Sequence, residues 1–420
     1  MRGFSLLLYR LVLHLALPLA APFLWVADRR TGKRRPPLRM RLGLGLPPVP
    51  QGGVLVHAVS VGEVTVARAL LSELRRRAPQ VPLLLSATTA TGLELASGAQ
   101  VADATLPFPL DLPAPTRRFL AATQPRLLVL VETELWPEML AACSEAGIPV
   151  VLVNARISDR SFPRYKLFAP LLRPLLAPLT LALAQTEGDA ARLVALGVPQ
   201  EKVRVTGNIK FDVKPARPLA EDLKARLCQL ASGRAVLVAG STMPGEEKQV
   251  LSAWMKLPDR PFLILAPRHP ERAQEVLELC RQLGLAAVRR SPLPAAHATA
   301  DVVVLDTVGE LAALYQLATV AFVGGSLVPT GGHNPIEPAR FAVPVVSGPH
   351  VRNFAAVYRE LEVHGGVKLV HNVRELQETL AHLLVHPQQA QALGQNAQAV
   401  LAKHAGATAK TVEALLPFLP

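Results

Sequence analysis

Close-spaced cysteines and the common nucleotide-binding signatures are absent from this 420-residue sequence. Its three cysteines, Cys143, Cys228 and Cys280, lie too far apart for a disulfide framework or a compact metal site. No P-loop, G-x-G-x-x-G or D-x-D sequence occurs, which disfavours ATP hydrolysis, a standard dinucleotide site and a metal-dependent diphosphosugar site. Aromatic residues make up only 5%, and no basic run is interleaved with them. We therefore expect no nucleic-acid partner, no metal and no cofactor.

Positive charge is in excess, and the formal net charge of +13 predicts an anionic partner. Residues 11–27 are apolar apart from His14, but as a helix they would cover only about 25 Å of a hydrocarbon core about 30 Å thick. Seven cations follow within residues 29–41 and two precede, which places the body of the protein in the cytoplasm. We predict a single membrane anchor over residues 1–27, spanning the bilayer or lying in its interface. We expect the anchor to be separable from the folded body of the protein.

Two basic clusters favour anionic membrane lipid as a partner, and solvated surface is the alternative. The first cluster forms a basic linker over residues 28–45. The second consists of Arg156, Arg160, Arg164, Lys166 and Arg173.

Short apolar runs recur along the rest of the chain, each followed by a polar cluster and a helical stretch. Apolar runs that are not interrupted by a polar residue at every second position are typical of parallel strands buried on both faces. They predict an α/β protein with two Rossmann-like domains, over residues 46–211 and 212–420, and three helices after residue 372. The runs are 54–56, 83–85, 127–131, 150–153, 181–184, 203–205, 235–239, 262–266, 302–305, 320–323 and 343–346.

Ligands of open parallel sheets bind outside the carboxyl ends of the strands, so the polar clusters there supply the candidate residues. Two such sheets facing each other would line one cleft with these clusters. The candidate bases are Glu63, Glu132, Glu134 and Glu310. Glu63 is preferred because it opens the first long helix, although it could instead cap that helix. Lys210 is expected to meet a leaving phosphate, with a surface lysine as the alternative.

The segment from Gly331 to Glu337 is the most informative single motif. Pro335 suits the first position of a helix and Asn334 suits its cap, so free N–H groups there favour a phosphate. Glu337 is placed to accept hydrogen bonds from ribose hydroxyls. Arg268 is a candidate oxyanion clamp. A second glycine cluster, Gly324-Gly325, strengthens the prediction of a ligand site.

Two other functions stay open at this point. The sequence Ala58-Val-Ser60-Val-Gly62 nearly matches the nucleophile elbow of serine hydrolases, with Ser60 as nucleophile. A non-catalytic module that binds a nucleotide sugar or a lipid is the other alternative.

The clusters together resemble those of the 3-deoxy-D-manno-octulosonic acid (Kdo) transferases of lipopolysaccharide assembly, over essentially the whole chain. The matching strings are Ser60-Val-Gly-Glu63, Glu132-Thr-Glu-Leu-Trp-Pro137, Asn154-Ala-Arg156, Lys210-Phe-Asp212, Pro267-Arg-His-Pro-Glu-Arg272, Gly309-Glu310, Gly324-Gly-Ser326 and Gly331-Gly-His-Asn-Pro-Ile-Glu337.

The resemblance implies a GT-B fold, with two Rossmann-like domains facing a cleft and the donor bound mainly by the second. The implied donor is CMP-Kdo and the implied acceptor is the acylated, phosphorylated glucosamine disaccharide precursor of lipid A. It also implies that Glu63 accepts the proton, while Glu132 and Lys210 stabilise the transition state. The implied CMP contacts are Pro267, Arg268, Val308, Gly309, Glu310, Leu311, Asn334, Pro335, Ile336 and Glu337.

Overall fold

The computed structural model describes residues 3–16, 36–98, 101–158, 161–212, 218–291 and 300–419. The chain divides into two units. The first unit comprises Met1–Val213 together with His404–Pro420, and the second comprises Lys214–Lys403.

A parallel sheet of seven strands forms the centre of the first unit, in the order β3-β2-β1-β4-β5-β6-β7. Apolar side chains cover both of its faces: Val54 and Val56 belong to the core on one side and Leu55 to the core on the other. Burial on both faces explains why the strand sequences do not alternate. The strands are β1 (Val54–Ala58), β2 (Leu83–Ala87), β3 (Ala104–Pro107), β4 (Leu127–Val131), β5 (Val150–Ala155), β6 (Leu181–Ala184) and β7 (Val203–Val205).

Helices connect these strands and cover the sheet, as parallel order requires. They are α1 (residues 3–16), α2 (Leu38–Arg41), α3 (Val61–Arg77), α4 (Ala90–Ser97), α5 (Pro113–Thr123), α6 (Pro137–Glu145), α7 (Phe162–Leu167), α8 (Ala169–Leu176) and α9 (Glu187–Ala195).

The second unit contains a second parallel sheet of seven strands, in the order β10-β11-β9-β8-β12-β13-β14. Its strands are β8 (Val236–Thr242), β9 (Phe262–Pro267), β10 (Ala287–Arg289), β11 (Val302–Val304), β12 (Val320–Val323), β13 (Val345–Ser347) and β14 (Val367–Leu369). Its helices are α10 (Glu221–Ala231), α11 (Glu246–Trp254), α12 (Ala273–Gln282), α13 (Leu311–Leu314), α14 (Ile336–Ala339), α15 (Ala355–Val363), α16 (Val373–Val385) and α17 (Pro387–Lys403).

The prediction of an α/β chain with two parallel sheets is confirmed, but three strands were missed. These strands, β3, β10 and β14, each lie at the edge of a sheet. An edge strand has one neighbour and is only partly buried, so its sequence needs no long apolar run.

The C-terminal helix α18 (Ala407–Leu415) packs on the first sheet, although the sequence placed residues 212–420 in one domain. Its apolar residues Val412 and Leu415 belong to the core around β1. The carboxylate of Asp212 accepts hydrogen bonds from the backbone N–H groups of Gly406 (3.0 Å) and Thr408 (2.8 Å), at the start of this helix. This return could not be predicted from the sequence, because an amphipathic helix does not specify which unit it covers.

The structure does not show the predicted membrane-anchor helix over residues 1–27. Residues 3–16 are helical, residues 17–27 lie outside the described part of the chain, and so do residues 28–35 of the basic linker. Within the described ranges, every helix is too short or too polar to traverse a bilayer. The described end of the linker, α2, packs on the first unit through a hydrogen bond from the Leu110 N–H to the Arg41 carbonyl (2.8 Å).

Candidate functional site

The candidate acids of the first unit follow two adjacent strands, β1 and β4, where the strand order changes direction. This switch point leaves an opening at the carboxyl edge of the sheet, where ligands of such folds bind. Glu63 is the third residue of α3, which follows β1, and Glu132 comes directly after β4.

Glu132 and Lys210 form an ion pair at this edge. The Lys210 Nζ lies 2.5 Å from Oε1 of Glu132, and both side chains are mostly shielded from solvent. Glu132 adopts a left-handed backbone conformation with φ of 63°. That conformation is strained for a residue with a side chain, and such strain is concentrated at functional sites.

Two asparagines that precede Lys210 in the chain position the segment that carries it. The Asn208 side-chain oxygen accepts a hydrogen bond from the Lys210 N–H (3.0 Å). The side-chain oxygen of Asn154, at the end of β5, accepts one from the Ile209 N–H (2.9 Å). Asn154 is fully buried, so these bonds fix the segment that carries Lys210 to the sheet.

Glu63 caps its own helix, as the alternative interpretation of the sequence proposed. One carboxylate oxygen accepts from the Val59 N–H (2.7 Å) and the other from the Ser60 hydroxyl (2.8 Å). The Ser60 oxygen in turn accepts from the Glu63 N–H (3.4 Å), so the two side chains together cap the start of α3. Burial raises the pKa of Glu63, and the nearby Glu132 raises it further, while these hydrogen bonds and Lys210 oppose the rise. Each carboxylate oxygen keeps a second lone pair, so capping leaves room for a proton.

Glu134 is a third carboxyl at this edge. Burial raises its pKa to about 7, and the negative charges of Glu63 and Glu132 contribute to the rise. Three carboxyls and one ammonium therefore share this region. The sequence offered Glu134 only as one of four possible bases, because a shift caused by neighbouring charges depends on the folded structure.

The Ser60 hydrolase receives no support from the hydrogen bonds around Ser60. The Ser60 hydroxyl donates to Glu63 rather than to a histidine. The nearest histidine in the sequence, His57, is fully buried, and its Nδ1 lies 3.1 Å from the Ser86 hydroxyl. Burial lowers the pKa of His57 to about 3, which makes it a poor general base at neutral pH.

The second sheet changes direction between β8 and β12, and the loop after β12 carries Gly324-Gly325-Ser326. The N–H groups of Gly325 (2.6 Å), Ser326 (2.9 Å) and Leu327 (2.8 Å) all donate to the buried carboxylate of Glu246. This glycine cluster therefore binds an anion of the protein itself. The N–H groups of this cluster therefore give no separate support to the predicted ligand site, and the sequence did not indicate Glu246 because its partners lie about 80 residues further along the chain.

The segment Asn334–Glu337 follows this loop and begins the four-residue helix α14. Pro335 takes the cap position and the helix begins at Ile336, one residue later than predicted. Asn334 still makes the capping bond, since its side-chain oxygen accepts from the Ile336 N–H (3.1 Å). Burial raises the pKa of Glu337, while Asn334, Arg340 and Arg268 oppose the rise.

Arg268 directly follows β9, and its side chain is exposed. Its backbone N–H donates to the Thr242 carbonyl at the end of β8 (2.9 Å), which fixes the start of this loop. After burial, Arg268 is the largest cause of the lowered pKa of His333, about 4, and it also acts on Glu337. The charge of Arg268 therefore acts on two titratable side chains of the segment 333–337.

The remaining predicted donor contacts, residues 308–311, lie between β11 and α13. Glu310 accepts from the Arg290 guanidinium (2.7 Å) and from the Thr307 hydroxyl, which together fix its carboxylate. Val308 is 87% exposed. Gly309 has φ of 89°, a conformation that favours glycine.

No group of three or more histidine, cysteine, aspartate or glutamate side chains in the described ranges has an arrangement suited to a metal ion. The candidate residues thus form two sets. Glu63, Glu132 and Lys210 lie in the first unit, and Pro267, Arg268 and the segments 308–311 and 334–337 lie in the second.

Comparison with known proteins gives consistent matches. A family model for 3-deoxy-D-manno-octulosonic-acid transferase (kdotransferase) matches residues 33–213. The 3-deoxy-D-manno-octulosonic acid transferase of Haemophilus influenzae is 34% identical over 422 residues, covering 98% of each chain. The transferase of that name from Bordetella pertussis is 37% identical over 430 residues, covering 98% of this chain and 99% of its own.

A solved structure supports the fold. UDP-GlcNAc 2-epimerase from Neisseria meningitidis, bound to UDP-GlcNAc, has a TM-score of 0.53 and 16% identity, covering 87% of this chain and all of its own. At that identity the likeness shows a GT-B-like fold alone.

Proposed function

This chain belongs to the 3-deoxy-D-manno-octulosonic-acid (Kdo) transferase family and is a glycosyltransferase; on that basis we propose its substrates and its mechanism. The proposed donor is CMP-Kdo. The proposed acceptor is the acylated, phosphorylated glucosamine disaccharide precursor of lipid A. The proposed reaction inverts the anomeric centre and needs no metal ion.

The observation that carries this proposal is the group formed by Glu63 and the Glu132–Lys210 ion pair. A carboxyl of raised pKa, a second carboxylate and an ammonium lie at the switch point of one sheet. A displacement at a sugar carbon needs a proton acceptor, a negative group near the cationic ring and a positive group for the leaving phosphate.

The reaction is a single displacement at the anomeric carbon of Kdo. The acceptor hydroxyl oxygen forms the new bond as its proton passes to Glu63. The bond from the anomeric carbon to the phosphate oxygen breaks, and its electron pair leaves on CMP. Glu132 stabilises the positive charge that develops on the sugar ring, and Lys210 balances the charge of the departing phosphate.

The second unit is proposed to bind CMP. Arg268 supplies an exposed guanidinium, which binds the oxyanion of a phosphate in a bidentate manner. Asn334 and Glu337 supply polar groups for the ribose and the phosphate, next to the buried residues Pro335 and Ile336. Pro267 and residues 308–311 complete the proposed surface.

The proposed location is the cytoplasmic side of the inner membrane, with α1 lying in the interface. One face of α1 exposes Phe4, Leu7, Leu8, Leu11, Val12 and Leu15. Exposed apolar side chains at this helical spacing are typical of a helix that lies in a bilayer interface.

A second exposed apolar pair, Leu167 and Phe168, lies beside the cations Arg164 and Lys166. This combination suits anionic lipid. Arg160 of the second basic cluster lies outside the described residues.

The test is mass spectrometry of the lipid formed when the purified protein is given CMP-Kdo and the acylated disaccharide acceptor. We expect a mass increase of one or more Kdo units together with release of CMP. CMP binding without either product would support the non-catalytic module instead. The same spectrum counts the Kdo units added.

A further inference from the structure

Helix α1 packs on the rest of the first unit through the face opposite to its exposed apolar residues. Ser5 and Leu6 are buried there, and Leu6 packs against Ala141 of α6 and Leu175 of α8. Tyr9 and Arg10 lie on the same face. Specific contacts with the rest of the first unit therefore set the orientation of α1.

Two buried carboxylates accept hydrogen bonds from polar side chains of α1. The Tyr9 hydroxyl donates to Oδ2 of Asp111 (2.7 Å). The Arg10 guanidinium donates to both oxygens of Glu138 (2.8 Å each), a bidentate pair. Asp111 and Glu138 are only 7% and 2% exposed, so each depends on its partners for stabilisation.

Both carboxylates are tied to the first turn of α6. The Asp111 carboxylate accepts from the backbone N–H groups of Glu138 (3.1 Å) and Met139 (2.9 Å), two of the free N–H groups at the start of this helix. Glu138 itself is the second residue of α6. Helix α1 thereby holds the starting turn of α6 through Asp111 and Glu138.

The segment that enters α6 is Glu132–Trp136, which carries the carboxylate paired with Lys210. Glu132 lies between the end of β4 and the start of α6, and its own N–H donates to the Val153 carbonyl of β5 (2.9 Å). Because only four residues separate Glu132 from α6, we expect a shift of its first turn to move Glu132 relative to Lys210.

We propose that Tyr9 and Arg10 are positioning residues for transfer, which hold the Glu132–Trp136 segment in its reactive arrangement through Asp111 and Glu138. The proposal rests on the proposed role of Glu132. It replaces the expectation that residues 1–27 act only as a separable anchor. Because the two faces of α1 have different partners, positioning and membrane attachment are separable by substitution.

The experiment measures Kdo transfer in detergent with dispersed acceptor, using the full-length chain. We expect Arg10→Met to lower kcat by about 10- to 100-fold, since small displacements at a reacting group have effects of this size. The KM for CMP-Kdo and binding to anionic vesicles should stay at parental values. Arg10→Lys, which keeps a charge for Glu138, should recover part of kcat, and Tyr9→Phe should lower kcat in the same direction.

The matched control is Arg117→Met. Arg117 also pairs with a glutamate of α6, Glu145, but that pair is exposed and lies at the far end of the helix (3.4 Å). We expect its kcat to equal that of the parent.

Three results would overturn the positioning role. These are parental kcat in both Arg10→Met and Tyr9→Phe, no recovery in Arg10→Lys, or a change confined to the KM for the acceptor. Tyr9→Phe carries the test if Arg10→Met does not fold. A parental protein that transfers no Kdo would instead refute the proposed function.

Discussion

The ammonium group of Lys210 lies 2.5 Å from a carboxylate oxygen of Glu132. The two residues follow different strands, β7 and β4, and their segments meet only because the sheet brings both carboxyl ends to one edge. Burial of both side chains strengthens their interaction relative to a pair in water.

Lys210→Met should lower kcat by about 10²- to 10³-fold, the usual effect of removing one preorganised charge-stabilising group. The loss also leaves Glu132 without its cation beside Glu63 and Glu134. The measurement is CMP release in the presence of CMP-Kdo and acceptor. Lys224→Met, which removes a half-exposed lysine of the second unit, is the control. Parental turnover in Lys210→Met would remove Lys210 from the mechanism.

Glu63→Gln should lower turnover by about 10²- to 10⁴-fold, because an amide cannot accept the proton. CMP binding, measured by calorimetry, should be retained. In the parent, the rate should fall as pH drops through a value above the ordinary glutamate pKa of about 4.3, since the pKa of Glu63 is raised. Glu94→Gln, at an exposed position of α4, should match the parent. Near-normal turnover in Glu63→Gln would show that another group is the base.

Asn334→Ala and Glu337→Ala should each weaken CMP binding by about tenfold, the effect of losing one or two hydrogen bonds. Thermal unfolding should change little, because the contacts are local to a four-residue helix. Calorimetric titration with CMP measures the effect. Glu271→Ala, at an exposed position after β9, serves as the control. Parental affinity in both variants would place the nucleotide elsewhere.

Glu134→Gln should stabilise the protein more at pH 8 than at pH 5. The pKa of Glu134 in the folded state, about 7, exceeds its ordinary value, so the folded protein favours the protonated form. The stability that this preference contributes is lost as the pH rises from the ordinary pKa to about 7. Allowing for its partial exposure, the gain at pH 8 is about 1–2 kcal/mol, or roughly 2–8 °C in Tm. Glu145→Gln, at an exposed position of α6, should show no such pH dependence. Equal Tm differences at both pH values would contradict this prediction.

Leu7→Gln combined with Leu11→Gln should weaken binding to anionic vesicles by at least about tenfold. Each buried leucine side chain contributes about 1.5–3 kcal/mol to the transfer from water, and polar amides lose this gain. Vesicle co-sedimentation measures the effect. Val363→Gln, which changes an exposed apolar residue of the second unit, should bind as the parent does. Unchanged sedimentation of the double variant would exclude the exposed face of α1 from the interface.

The sequence predicted the central strands of both sheets because strands buried on both faces must be continuously apolar. It missed β3, β10 and β14, three of the four edge strands, where burial is partial, although it predicted the fourth, β7. The same limit applies to α18, whose sequence shows an apolar face but not which sheet that face covers.

For the candidate site, the sequence marked Glu63, Glu132 and Lys210 by their positions after apolar runs. It did not show the partners that decide their properties. Glu246 and the glycine loop it binds are far apart in the chain, as are Arg10 and Glu138.

The sequence by itself determined the α/β class, the positions of the inner strands and the residue types at their carboxyl ends, because hydrophobic patterning and local geometry act between near neighbours. Only the tertiary structure decided that Lys210 pairs with Glu132, that Glu134 has a pKa of about 7 and that α1 packs on α6. Burial and charge interactions depend on distances in space, and these exist only once the chain has folded.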